Sequence, residues 1–120
     1  MPIRTEMDIY LPDKLFRANS IDIECHLNLD LSDYKIRAEL FDRFYSSIQF
    51  ANEAAGGSDD EIEFTDDGED GCFIIHIAKN LTNRFHLISY LEVEIEDEDG
   101  KVQTVWFTPI KFEDDVYLRP

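Results

Sequence analysis

Cys72 and His76 stand four residues apart, so on a strand they share a face, and Cys25 could reach them from an adjoining strand. Three such soft ligands suit zinc, but zinc sites are built on close pairs, Cys-x-x-Cys or His-x-His, and neither occurs. Without them Cys25 and Cys72 read as small core residues with free thiols. The carboxylates offer a second chemistry. Asp59, Asp60, Glu61, Glu63, Asp66, Asp67, Glu69 and Asp70 share a stretch that holds no Lys or Arg. Glu92 to Asp99 is a second cluster and Glu113-Asp114-Asp115 a third. Dense oxygen ligands invite calcium, yet an EF-hand loop needs a bidentate acid at its twelfth position. A loop opened at Asp66 would end on Ile77, and one opened at Ile95, with Gly100 as its glycine, would end on Trp106. Looser calcium binding between neighbouring loops stands as an alternative to a solvated acidic rim. His26, His76 and His86 have no nucleophile at a motif spacing, and no nucleophile elbow, P-loop or dinucleotide fingerprint is present. With carboxylates everywhere, none stands out as a glycosidase pair. The reading is a protein that is not an enzyme and uses no metal or cofactor.

The elements that carry these residues are strands. Gly71 to Ala78 is an apolar run opened by a glycine. Leu87 to Ile95 alternates apolar and acidic residues at period two, which puts one face in a core and the other in water. Glu96 to Lys101 contains Asp99-Gly100, a hairpin signal because the turn needs positive φ, and Val102 to Phe107 returns. Upstream, Ile21 to Leu29 alternates cleanly and Leu31-Ser32-Asp33 turns. Ile36, Ala38 and Leu40 mark a further strand, Ile48 with Phe50 another, and Ile62 with Phe64 another. Asn52 to Asp60 reads as a flexible connection. Met7 to Leu11 is an edge strand ended by Pro12, which cannot donate to a ladder. Seven to eight short strands with turns every 8–12 residues predict one all-β domain over 1–120, core about 8–115. The predicted architecture is an immunoglobulin-like antiparallel β-sandwich. An antibody-type disulfide is not expected, since the sixth-strand candidate has no cysteine and Trp106 lies on the last strand. Phe41, Phe44, Tyr45, Ile48 and Ala55 also approach helical spacing, so a helix over 43–54 is the competing reading of that segment.

The charge narrows the partners. Asp and Glu number 27 against 11 Lys and Arg, a formal net charge of −16. Such a surface repels nucleic acids and anionic membranes and suits a basic partner. The first residues hold no apolar h-region, and no apolar stretch nears the roughly 20 residues needed to span a bilayer, so synthesis in the cytosol is expected. Without a secretory route, the sequon Asn80-Leu81-Thr82 carries no meaning.

The order of signals resembles the small β-sandwich modules of bacteriophage tails, such as the N-terminal domain of upper-baseplate proteins and short tail-fibre-associated proteins. The residues that carry the resemblance are Ile36-Arg37-Ala38-Glu39-Leu40, the Gly71 to Thr82 segment, Ser89-Tyr90-Leu91-Glu92-Val93, the Asp99-Gly100 hairpin and the strand from Val105 to Phe112. It spans roughly Asp8 to Asp115. The chain departs from the pattern at Arg17-Ala18-Asn19-Ser20, where the family has Gly-Asp-Thr, and at Phe85-His86-Leu87, where a glycine is usual. The resemblance implies a non-catalytic assembly role, with partners among other tail or baseplate proteins or copies of this chain. It also implies incorporation into a virion, and it assigns no site residues.

A docking module buries apolar surface and pairs edge strands. Tyr10, Phe16, Trp106, Tyr117 and Leu118 are the candidate contacts. Trp106 and Phe107 point to opposite faces, so if Phe107 is inside, Trp106 is an exposed anchor. A reading of a different class is an acidic DNA mimic that blocks a nucleic-acid-binding protein. Glu92, Glu94 and Glu96 alternate on one face about 6.8 Å apart, close to the separation of successive phosphates. A general interaction domain of a cell is the third reading.

Overall fold

The computed structural model describes residues 7–11, 15–16, 20–42, 47–78 and 88–113. Nine strands run through them. They are β1 (Met7–Tyr10), β2 (Leu15–Phe16), β3 (Ile21–Leu27), β4 (Lys35–Phe41), β5 (Ser47–Ala51), β6 (Ile62–Phe64), β7 (Cys72–Ile77), β8 (Ile88–Glu96) and β9 (Val102–Glu113). They form two sheets, ordered β1-β3-β7-β6 and β2-β9-β8-β4-β5, and the protein is an all-β sandwich. The alternation dictates the faces. β3 buries Ile21, Ile23, Cys25 and Leu27 and turns Asp22 and Glu24 outward. β4, β7 and β8 do the same with Ile36, Ala38 and Leu40, with Phe73, Ile75 and Ile77, and with Leu91, Val93 and Ile95. These inner faces make one core, where each large side chain contributes roughly 1.5–3 kcal/mol on leaving water.

The turns follow from their residues. In the β8–β9 hairpin Asp97 Oδ1 accepts the N–H groups of Asp99 and Lys101 at 3.0 and 2.9 Å. Gly100 closes the turn at φ +83°, the left-handed conformation that the Asp-Gly signal requires. Gly71 sits where β7 leaves its turn and β3 ends. Its carbonyl accepts from Leu27 N at 2.9 Å, and a Cβ there would lie 1.8 Å from the Leu27 carbonyl oxygen.

One expectation needs correction and one alternative is decided. Of the two readings of 43–54, the strand through Ile48 and Phe50 forms at 47–51 as β5, paired with β4 from Arg37↔Ala51 to Phe41↔Ser47 and burying Phe50. Ladder hydrogen bonds and the core decide against a short helical pattern. Only Glu53–Ala55 coils, as a single 3₁₀ turn, and residues 43–46 lie outside the described segments.

The connection after β5 is not a loose one. Asn52 is buried, and its Oδ1 accepts from Ile36 N and Ala55 N, each at 3.1 Å, while its Nδ2 donates to Tyr34 O at 3.1 Å. Gly57 presses so closely on Ala51 that a Cβ would meet its carbonyl oxygen at 2.0 Å.

The antiparallel sandwich predicted from the chain is the one observed, with one parallel pairing among the described residues, at a sheet edge. β2 runs parallel to β9, Leu15 opposite Phe112, because the chain leaves β1 in one sheet and reaches β2 at the edge of the other.

Candidate functional site

The outer face of β9-β8-β4-β5 collects the side chains with most to offer a partner. Cross-strand pairing sets them in rows. Tyr90 of β8 faces Phe41 of β4 and Pro109 of β9, and the next row sets Phe107 opposite Glu92 and Glu92 opposite Glu39. The row after that pairs Glu94 with Arg37. The aromatics touch. Phe41 stacks on Tyr90 at 5.6 Å between ring centres, Tyr90 on Phe107 at 5.9 Å, and Phe41 meets Phe107 at 6.2 Å. Contacts of this kind contribute about 0.5–1.5 kcal/mol each beyond burial. Phe107 nevertheless remains 58% exposed, and Val102 further along β9 52%.

Trp106 takes the other side, contrary to its expected role as an exposed anchor. Counting back at period two from the buried Phe112 and Ile110 brings Thr108 and Trp106 inward and Pro109 and Phe107 outward. The ladder then slips between Val93 and Glu94, since Val93 pairs with Trp106 while Glu94 pairs with Thr104. This bulge turns Val105 inward as well, beside Trp106, which packs on the core. The indole Nε1 is buried without a hydrogen-bond partner among the described residues.

The acidic row beside the aromatics is only partly neutralised. Arg37 Nη1 lies 3.1 Å from Glu96 and 3.8 Å from Glu94, and Lys35 Nζ lies 3.7 Å from Glu96. Glu92 and Glu39 face each other with no ion pair to either among the described residues, and Glu39 accepts a hydrogen bond from Ser47 Oγ at 2.7 Å. The 3₁₀ turn and the residues after it wall this region into a depression of about 370 Å3. Arg37, Glu39, Gln49, Glu61, Glu92 and Glu94 line it. Glu61 is fixed there by accepting Ala51 N at 3.1 Å.

The other candidates fall elsewhere. Tyr10, on the edge strand β1, is 61% exposed as a contact residue should be, but it belongs to the opposite sheet. The Phe16 side chain, Tyr117 and Leu118 lie outside the described residues, as do His86 and the sequon. The suggested zinc trio is not assembled. Cys72 and His76 do share the outer face of β7, but Cys25 points into the core, where burial pushes its thiol up to about 12. Among the described residues no group of three ligating side chains is placed to hold a metal. The loops at one end of the sandwich bring Asp30, Asp33, Asp97, Glu98 and Asp99 around a second depression. Asp30 and Asp97 spend their Oδ1 atoms on turn hydrogen bonds there.

His76 has a different role from any foreseen. Its Nδ1 lies 2.7 Å from Asp22 of β3 and its Nε2 2.7 Å from Glu63 of β6. Burial alone would lower its pKa, but the hydrogen bonds to Asp22 and Glu63 and their charges outweigh it and raise the pKa above the usual 6.5. The imidazole ties three strands together.

The aromatic trio went unread in the sequence, although parity counted back from Phe112 would have turned Phe107 outward. Phe41 joins it only through the β4–β8 register. No family model matches this chain, and no curated protein matches it. Among the described residues no helix is long and apolar enough to cross a membrane.

Proposed function

We propose that this protein is a non-catalytic structural or adaptor module that acts through protein–protein contacts, as a component of a tail- or baseplate-type assembly. The observation that carries the contact role is the stacked Phe41–Tyr90–Phe107 cluster on the outer face of the sheet, with Phe107 more than half exposed. Exposed aromatics in a cluster are the usual anchors of interfaces. The order of signals along the chain supports the tail-type assignment. The immunoglobulin-like reading rests on strand order. In immunoglobulin lettering, β1-β3-β7-β6 follows A-B-E-D, and β9-β8-β4-β5 follows G-F-C-C′.

The mimic reading draws on the Glu92, Glu94 and Glu96 ladder. Two of its three members are neutralised by Arg37 and Lys35, which weakens it as a phosphate replica. Tagged protein captured from lysate of its own source, at low and high salt, separates the readings. Phe107→Ala should keep the fold and lose salt-resistant capture of assembly proteins, while Trp106→Ala, at a partly buried position, should lower stability by up to about 3 kcal/mol. Capture that Phe107→Ala leaves intact, or salt-sensitive capture of a nuclease or repressor, would overturn the proposal.

A further inference from the structure

We infer that the face bearing Phe107 receives an arginine-bearing extended segment of the partner, with a guanidinium seated between Glu92, Glu39 and the Phe107 ring. This deepens the contact reading and rests on it. The argument begins with charge. Glu92 and Glu39 are directly opposite on neighbouring strands, an arrangement that costs stability when both are ionised. The nearby cation cannot relieve them, because Arg37 is committed to Glu94 and Glu96. Among the described residues the pair therefore lacks a positive charge, which a partner can bring.

Shape agrees with charge. The two carboxylates line a depression of about 370 Å3, within the roughly 300–1,000 Å3 of small binding sites. Among the described residues its acidic lining is Glu39, Glu61, Glu92 and Glu94 against Arg37 alone. Next to Glu92 across the ladder stands Phe107, a residue 58% exposed whose ring stacks on Tyr90. A flat guanidinium can lie on an aromatic face and direct its donors to a carboxylate at the same time. A lysine ammonium, a strongly hydrated point charge, does this less well. The combination of exposed ring and unneutralised carboxylates is therefore selective for arginine and not merely attractive to cations.

The test uses the full chain and an end-blocked glycine–serine peptide with arginines at two alternate positions, titrated by NMR at physiological salt. A matched lysine peptide is the control. The arginine peptide should shift the amides of β4, β8 and β9 and bind about two- to fivefold tighter than the lysine peptide. Glu92→Gln should weaken it by about tenfold and Phe107→Ala by about fivefold. Asp66→Asn with Asp67→Asn, which removes more charge from the loop between β6 and β7, should change it by less than about twofold. Glu92→Gln is isosteric, so it keeps the test decisive even if Phe107→Ala costs stability. Equal affinity for the two peptides, or equal loss in the Asp66/Asp67 control, would reduce the effect to diffuse attraction and overturn the inference. If the peptide fails to bind but Phe107→Ala still abolishes capture, the arginine site falls and the contact module stands.

Discussion

Asn52 shows how much one side chain can hold. Sequence inspection places it at the head of a polar connection, yet it is buried and fully engaged between Ile36, Tyr34 and Ala55. Asn52→Ala would strand the Ile36 N–H and the Tyr34 carbonyl, and is expected to cost about 3 kcal/mol in denaturant unfolding. Asn52→Asp keeps the acceptor but sets a buried carboxylate against the Tyr34 carbonyl, and should cost at least as much. His76 makes a pH-dependent contribution of definite sign. Its folded-state pKa lies above its unfolded value, so its stabilisation is complete below about pH 6.5 and fades as pH rises through the higher, folded pKa. The difference in melting temperature between the wild type and His76→Gln should therefore be larger near about pH 6 than near about pH 8.5. A difference that grows with pH would show that the imidazole is neutral between its carboxylates.

At the scale of elements, β9 decides the character of the surface. It is long and carries Pro109, which is tolerated because β2 flanks β9 only at Phe112 and Glu113. Its bulge lets Val105 and Trp106 both turn inward, and the regular half beyond it presents Phe107. The junction of β3 and β7 is less forgiving. Gly71 has φ +76° and its Cα abuts the Leu27 carbonyl, so Gly71→Ala meets both backbone strain and a clash. A loss of several kcal/mol in urea unfolding is expected, whereas Gly100→Ala, with open space around it, should cost about 1 kcal/mol.

For the whole molecule the excess of acid dominates. A net charge of −16 on 120 residues works against the compact state through self-repulsion, which salt screens over a Debye length of about 10 Å at 0.1 M. Melting temperature should rise with sodium chloride. Calcium and magnesium should raise it alike at equal ionic strength, and a calcium-specific rise at micromolar concentration would instead place an ion among Asp30, Asp33 and Asp97 to Asp99.

The sandwich itself was legible in the chain. Alternation at period two follows directly from the pleat, so β3, β4, β7, β8 and the Asp-Gly hairpin could be read where they stand. What the chain alone left undecided was everything set by partners distant in sequence. Period two states that Trp106 and Phe107 oppose each other but not which is inside; the packing of Ile110 and Phe112 settles that. A helical spacing at 43–54 is local, and it yields to a ladder with β4 that no local pattern reveals. The cluster of Phe41, Tyr90 and Phe107, and the facing of Glu39 and Glu92, exist only through the β4–β8–β9 register. Residue type and alternation are written along one strand, but a site on a sheet face is assembled across strands, and only the tertiary structure brings those together.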